Sequence, residues 1–357
     1  MPQRQVFFAT NRKPVQGAFG IDCCDPPDTL ALGVATCAAE ADPVPEGRLL
    51  AGSLQLAEDP DTALAATVDK WLAIARRTGA MPLLFVHGFN HDFTEALTRT
   101  AKLALWLEEG GTGPLLPLAF TWPSHGAGSG DGYAADRIAA GRSGHALAKL
   151  VATIAGAPRQ GLRIGYVAHS MGVRVTRHGM QAIAPLLPSL PLPVFAQALL
   201  LAGDDECDVL DLPGDGSDDS QGGLRPIADL ARHVTIGVNR DDGVLWAISR
   251  LMNGVPRLGA SGPRRPAQLP PGIGIVDYSM QVLASGGGTL PGSAPIPQTE
   301  AEVNWIGHQW YRNAPLVRRD LVATLAADLP PAAIPGRRAA VPDGTPTGEI
   351  AGRLYLA

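Results

Sequence analysis

The stretch from 163 to 179, RIGYVAHSMGVRVTRHG, constrains the fold more than any other part of the chain. Its apolar run at 164–168 predicts a buried strand, and the spacing after the turn predicts a helix. A strand that turns directly into a helix brings the residues two before and two after the turn together, so both must be small. Ala168 and Gly172 meet that demand, with Ser170 at the apex. Such a turn exposes a nucleophilic serine at the end of a parallel sheet.

Strands and helices alternate along most of the chain. The predicted strands are 5–10, 29–38, 81–86, 115–122, 163–168, 194–202, 233–238 and, as the last one, 273–278. The predicted helices are 61–77, 92–109, 134–155, 171–183, 227–232, 243–252 and 316–329. Continuous apolar runs such as MPLLFV at 81–86 are typical of strands buried on both faces. We therefore expect an α/β fold with an open, mostly parallel sheet and helices on both faces.

These elements predict one sheet domain (61–330) with a flanking segment at each end. An N-terminal strand region (1–60) packs on the core, and a C-terminal tail (331–357) follows it. Loop insertions are expected near 204–224, 253–272 and 285–306. The Pro/Gly-rich stretches at 253–272 and 285–297 predict either a lid or pocket rim, or connections without a role.

Residues 204–219 carry eight carboxylates and no Lys or Arg, which predicts a solvated surface loop. A calcium loop is the alternative, but the regular ligand spacing of a known cation loop is missing. The whole chain of 357 residues has a formal net charge of −5 and no concentrated basic face, which argues against nucleic acid as a partner. The N-terminus lacks a secretory signal and no run is long enough to be transmembrane, so we expect a soluble, cytoplasmic protein.

A serine hydroxyl is a poor nucleophile and needs a histidine to take its proton and an acid to orient that histidine. In this architecture the acid and then the histidine follow the serine, each on a loop after a later strand. Asp241 and Asp242 follow the strand at 233–238, and His308 follows the last predicted strand. Asp204, after an earlier strand, is a third candidate for the acid.

The loop after the strand at 81–86 is the expected partner of the serine turn. Such a loop donates a backbone N–H that pairs with the N–H of the residue after the nucleophile, and together they form an oxyanion hole. Phe89 and Met171 are the predicted donors. The side chains predicted to contact substrate are His87, Asn90, Trp122 and His169.

His87 and His91 are four residues apart, a spacing that binds a metal on a helix. The Gly-Phe-Asn between them predicts a loop instead. No metal and no other cofactor is expected.

Several segments together resemble a known superfamily. They are FFATNR at 7–12, FVHGFNHDF at 85–93, FTWPS at 120–124, AHSMG at 168–172, Asp242 followed by Leu245, and GHQWY at 307–311. The chain resembles an α/β-hydrolase, and within that superfamily a bacterial esterase/lipase-like group catalogued as a domain of unknown function. One departure is Ala168, where Gly is commoner.

The resemblance implies Ser170 as nucleophile, Asp242 as acid and His308 as general base of a serine hydrolase. It also implies a carboxylic ester, small or lipid-like, as substrate. Amidase, peptidase or acyltransferase activity with the same residues stays open, as does a non-catalytic scaffold that binds a ligand or a protein. The sequence leaves the oligomeric state open.

Overall fold

Twelve strands form one sheet in the part of the chain that the computed structural model describes, namely residues 2–39, 47–57, 62–125, 130–212, 221–285, 307–340 and 350–357. The strands of this sheet are β1 (Gln3–Thr10), β4 (Ala31–Ala38), β5 (Arg48–Leu49), β6 (Gln55–Leu56), β7 (Met81–Val86), β8 (Leu115–Thr121), β9 (Gly165–His169), β10 (Phe195–Leu201), β11 (Ala231–Val238), β12 (Ile273–Asp277), β13 (Arg337–Ala339) and β14 (Leu354–Leu356). A separate hairpin consists of β2 (Arg12–Val15) and β3 (Ala18–Cys23).

The strand order is β13-β14-β12-β11-β10-β9-β7-β8-β1-β4-β5, with β6 beside β4. All neighbours from β14 through β12 to β1 are parallel. The order reverses between β7 and β9, because the chain adds β8 on one side of β7 and β9 on the other. Ligands of open parallel sheets bind at such a switch point, outside the carboxyl ends of the strands.

The N-terminal strands belong to this sheet. β1 runs parallel to β8, with Thr10 beside Thr121, and pairs antiparallel with β4. The carboxyl ends of β1, β8, β7 and β9 therefore share one edge of the sheet, and the residue that follows each strand emerges there.

Helices cover both faces of the sheet. They are α1 (Ala63–Thr78), α2 (Phe93–Glu109), α3 (Gly130–Arg142), α4 (Gly144–Gly156), α5 (Met171–Ile183), α6 (Ile227–Leu230), α7 (Arg250–Asn253), α8 (Leu258–Ser261), α9 (Ser279–Ala284), α10 (Trp310–Asn313) and α11 (Pro315–Ala326). A π-helix at Val244–Ser249 precedes α7, and 3-10 turns occupy Ala184–Ser189, Pro266–Gln268 and Pro331–Ala333.

Three apolar clusters of the described residues lie between the helices and the sheet. The largest includes Trp71 of α1, Leu147 of α4 and Val173 of α5. The second, on the opposite face, includes Trp106 of α2 and Leu321 of α11. The third packs Phe93 and Leu97 of α2 on β1 and β4. The strands from β7 to β10 are buried on both faces, which explains why their sequences are almost continuously apolar.

The single helix predicted at 134–155 is wrong, because the structure has two, α3 and α4, with a break at Ser143. Gly144 lies directly against α5, where a Cβ would be 2.6 Å from the Cβ of His178. The break at a glycine allows the chain to cross α5 at this close distance.

The prediction that 273–278 is the last strand is also wrong. The tail supplies β13 and β14, and β14 pairs with β12. Arg337 of β13 binds Asp320 of α11 through two 2.7 Å hydrogen bonds. Strands of three residues carry too weak a local signal to be recognised without this long-range contact.

The solvated surface loop predicted at 204–219 is wrong for its described part, 204–212. Three of its carboxylates are buried and pair with distant arginines. The pairs are Asp204–Arg257 (2.8 Å), Asp205–Arg177 (2.7 Å) and Asp211–Arg264 (2.7 Å). Residues 213–220 lie outside the described part, as does 286–306 of the predicted insertion at 285–306. The 253–272 segment packs on the end of β10, where Gly259 contacts Ala202 and Gly203.

Candidate active site

The turn at Ser170 joins the carboxyl end of β9 to the start of α5. Ser170 has φ 55° and ψ −126°, a left-handed φ that few residues with a side chain adopt. Its N–H donates to the Leu201 carbonyl (3.0 Å), and its carbonyl accepts from the Asp204 N–H (2.9 Å). A Cβ at Gly172 would lie 2.5 Å from the carbonyl oxygen of His87, so only glycine fits there. Two hydrogen bonds to the end of β10 and the residues after it thus hold the serine in a strained conformation.

His308 bridges Ser170 and Asp242. Its Nε2 lies 3.0 Å from Ser170 Oγ, and its Nδ1 lies 2.9 and 3.0 Å from the two carboxylate oxygens of Asp242. A carboxylate accepts, so Nδ1 carries the proton and Nε2 is left to accept from the serine hydroxyl. All three residues are buried, Ser170 with 4% and Asp242 with none of its surface exposed.

Of the three candidate carboxylates, the structure places Asp242 in contact with the histidine. Its Oδ1 also accepts from the Leu245 N–H at 3.2 Å, so the carboxylate caps the next helix. Asp241 is exposed. Asp204 binds Arg257 and the Tyr133 hydroxyl, each at 2.8 Å.

His169 packs against the back of His308. The two ring centroids are 4.9 Å apart, and the centroid of the Tyr311 ring lies 4.3 Å from that of His169. Burial, and then the nearby His308, lower the pKa of His169 well below its usual value. His169 is 2% exposed, so in this conformation it supports the ring of His308. The sequence predicted that it contacts substrate.

The loop after β7 holds the peptide between Gly88 and Phe89 in a defined orientation. His87 Nδ1 lies 2.8 Å from the Gly88 carbonyl oxygen and must donate to it. The C=O and N–H of a trans peptide point in opposite directions, so this bond turns the Phe89 N–H away from the His87 ring.

This peptide runs directly against the serine. A Cβ at Gly88 would lie 2.9 Å from the Cβ of Ser170. The amide of Met171, the first residue of α5, lies on the other side of the turn, where the positive end of the helix dipole favours an anion. Neither the Phe89 nor the Met171 N–H has an acceptor in the described part of the chain.

Trp122 and His87 form a layer beneath the loop. Their rings stack 5.2 Å apart at 6°, and the indole N–H donates to the His87 carbonyl at 2.8 Å. Trp122 is completely buried, so in this conformation it supports the loop and does not line a pocket. Burial lowers the pKa of His87 to about 3, so this ring stays neutral. Asn90 is half-buried with φ 62°, and its Oδ1 has no partner among the described residues.

The described residues contain no group of three or more metal-binding side chains. His91 Nδ1 lies 2.5 Å from the Phe89 carbonyl and must donate to it, so this nitrogen has no lone pair for a metal. None of the described helices has the length and apolar character of a membrane span.

A family model described as an alpha/beta hydrolase of unknown function (DUF900) matches residues 65–286, more than half of the chain. The chain belongs to this hydrolase family. The predicted fold class and the predicted resemblance to an α/β-hydrolase of unknown function are thereby confirmed. No curated protein and no solved structure matches the chain significantly.

The part of this hydrolase that matches the family model contains Ser170 and Asp242. His308 lies beyond the matched residues, as does Arg12 before them. Sequence reasoning assigned no role to Arg12 or to Tyr133, which contacts the ring of Phe89 edge-on at 5.5 Å. The signal for Arg12 was its place at the end of the FFATNR segment, but a charged residue next to a strand is usually exposed.

Proposed function

We propose that this chain is a serine hydrolase that cleaves a carboxylic ester through an acyl-enzyme on Ser170. The observation that supports the proposal is the unbroken line of contacts from Ser170 Oγ through His308 to Asp242, at 3.0 and 2.9 Å. A serine, an imidazole and a buried carboxylate at these distances are the parts that acyl transfer requires.

In the acylation step Ser170 Oγ attacks the ester carbonyl carbon and its proton passes to His308 Nε2. Asp242 keeps the Nδ1 proton in place and stabilises the imidazolium that forms. The N–H groups of Phe89 and Met171 donate to the tetrahedral oxyanion, and each such donor is worth about 3 kcal/mol of transition-state stabilisation. The ester C–O bond then breaks, and His308 returns the proton to the leaving alkoxide.

In the deacylation step water replaces the alcohol. His308 Nε2 takes a proton from the water as it attacks the acyl carbon, and then returns it to Ser170 Oγ. The same donors stabilise the second oxyanion, so no cofactor is required. An ester is the substrate class that we favour over an amide, because an alkoxide is the better leaving group.

An apolar, lipid-like substrate is supported by exposed apolar side chains on two segments at the carboxyl edge of the sheet. Trp246 follows Asp242 by four residues and is 55% exposed, and Met280 and Leu283 of α9 are half exposed. Both segments follow strands at the carboxyl edge of the sheet, where Ser170 lies. Exposed apolar side chains at this edge of the sheet are suited to an apolar ligand.

The test is labelling with a fluorophosphonate probe, together with hydrolysis of p-nitrophenyl acetate and p-nitrophenyl octanoate. We expect Ser170 to be labelled and the octanoate to have the higher kcat/KM. Ser170→Ala should lose all labelling, and Asp242→Asn should lower kcat by about 10³- to 10⁴-fold, because the histidine tautomer is no longer held. Asp204→Asn and Asp241→Asn are the matched controls and should retain most of the activity.

Different failures have different meanings. Folded wild-type protein that is not labelled would indicate a non-catalytic scaffold. Labelling without ester turnover would indicate an amidase or acyltransferase. An inactive Asp204→Asn variant beside an active Asp242→Asn variant would overturn the choice of acid.

A further inference from the structure

We propose that Arg12 is a positioning residue that holds the Phe89 amide in place for the oxyanion. The proposal rests on the proposed acyl transfer at Ser170, because this amide has a catalytic role only in a reaction of that kind. Arg12 follows β1, whose carboxyl end lies beside that of β8 at the edge of the sheet that carries Ser170. It lies more than fifty residues before the part of the chain that matches the family model.

The guanidinium group of Arg12 is completely buried and reaches across three segments. Its Nε donates to Thr121 Oγ1 at 2.9 Å, and its Nη2 donates to the His91 carbonyl at 2.8 Å. Its Nη1 donates to the carbonyls of Gly20 and Ser124, each at 3.1 Å. The hairpin, the end of β8 and the loop after β7 are thus joined by one side chain.

None of these four acceptors carries a charge, which is unusual for a buried cation. The carboxylates of Asp92 and Asp136 act on it only electrostatically. Burial lowers the pKa of Arg12 to about 10, so the group is still protonated at neutral pH and keeps all its donors. An apolar side chain would fill this space without the desolvation cost, so the hydrogen bonds are what the arginine specifically supplies.

His91 connects Arg12 to Phe89 through hydrogen bonds. Arg12 holds the His91 carbonyl, and Ser124 Oγ accepts from the His91 N–H at 3.2 Å. The carbonyl of His91 is therefore fixed to Arg12, which follows β1, and its N–H to Ser124, which follows β8. The His91 ring then donates from Nδ1 to the Phe89 carbonyl at 2.5 Å.

The same ring also supports the other side of the loop. His91 stacks on His87 with ring centroids 5.7 Å apart, and His87 holds the Gly88 carbonyl. The peptides before and after Phe89 are thus each held by a histidine, and Arg12 fixes the second of the two. A displaced His91 would allow the Phe89 N–H to move away from the oxyanion.

The test compares Arg12→Lys with Arg337→Lys, a matched control. Arg337 is also buried and makes several hydrogen bonds, but it lies at the far edge of the sheet. Loss of one oxyanion donor lowers kcat by about 10²- to 10³-fold. Because Arg12 acts through His91, we expect Arg12→Lys to lower kcat by about 10- to 100-fold with KM changed less than about threefold.

Two further readouts separate positioning from general destabilisation. A trifluoromethyl ketone forms a tetrahedral adduct whose oxyanion needs the Phe89 N–H, so its affinity should fall in parallel with kcat. Hydrogen exchange of amides 88–92 should become faster in Arg12→Lys and stay at the wild-type rate in Arg337→Lys. If Arg12→Lys does not fold, Thr121→Val removes a single bond of the guanidinium and should give the same pattern with smaller changes.

The proposal is overturned if folded Arg12→Lys keeps the wild-type kcat and loop exchange, or if both lysine variants lose kcat equally. The exchange measurement needs no turnover. A wild-type protein that does not react at Ser170 would therefore refute the proposed function, while the exchange rates still show whether Arg12 holds the loop.

Discussion

Two buried arginines hold together different parts of this sheet, and they do so in different ways. Arg337 in β13 makes two 2.7 Å hydrogen bonds to the carboxylate of Asp320, which also accepts from the Tyr278 hydroxyl at 2.5 Å. Arg12 donates only to neutral carbonyl and hydroxyl oxygens around the candidate site.

The two arginines also differ in pKa. Burial lowers the pKa of Arg12 to about 10 because no carboxylate is bound to it. Burial also opposes the charge of Arg337, but Tyr278 and Asp320 outweigh this effect and its pKa is raised. Arg337, which is paired with a carboxylate, anchors the tail. Arg12, which has no bound carboxylate, contributes less to stability, and its burial is explained better by the loop that it positions.

The largest expected effect comes from removing the charge that compensates Arg337. Asp320→Asn leaves a buried guanidinium without its carboxylate, and breaking a buried pair in this way costs about 3–5 kcal/mol. Denaturant unfolding should show that loss, while kcat of the remaining folded protein stays at the wild-type value. Asp22→Asn, at an exposed position, should change the free energy of unfolding by less than about 0.5 kcal/mol. A loss below about 1 kcal/mol for Asp320→Asn would contradict the contrast between the two arginines.

A smaller effect concerns the neutral histidines on the catalytic side. Burial, and then Arg177, lower the pKa of His178 on α5 to about 4. The unfolded chain binds this proton below about pH 6.5 and the folded protein does not, so the free energy of unfolding decreases as pH falls from 6.5 to 4. Above pH 6.5 it should be constant with respect to this group.

The measurement is the free energy of unfolding between pH 4 and 8. His178→Gln removes one proton-binding group, so the slope in that window should decrease by at most about 1.4 kcal/mol per pH unit. Arg337→Lys changes no group that titrates there and should keep the wild-type slope. An unchanged slope in His178→Gln would show that His178 does not contribute to acid sensitivity.

The smallest expected effect tests backbone strain at the catalytic edge. Ser170 has a positive φ, so Ser170→Gly should be more stable than Ser170→Ala by about 1 kcal/mol, and both should be inactive. Ala323→Gly in α11, where the backbone is helical, should instead lose about 1 kcal/mol relative to the wild type. Thermal unfolding of the three variants gives the comparison. Equal stability of the two Ser170 variants would mean that the turn is not strained.

Much of the fold was predictable because its signals are local. The strand at 81–86 and the helix at 171–183 have the predicted bounds. The acidic segment at 204–212 was predicted wrongly, because its carboxylates are paired with arginines 28 to 53 positions away. Composition cannot distinguish a solvated carboxylate from one that meets a distant cation.

The candidate site, too, was predictable only where its signals are local. The small residues around Ser170 and the chain order of Ser170, Asp242 and His308 are sequence properties, and they were sufficient to select candidates. The support from Arg12, His91 and Trp122 was not predicted. Each of these side chains acts through a contact with a segment that precedes or follows it by more than thirty residues.

The sequence alone determined the alternation of strands and helices, the sharp turn that carries Ser170, and the family to which the chain belongs. These depend on the spacing of apolar and small residues within a few turns of chain. Only the tertiary structure decided which carboxylate meets His308, which arginines are paired, and how the Phe89 amide is held. Such contacts arise where parallel strands bring their carboxyl ends to one edge, and the distances between those ends are a property of the assembled sheet.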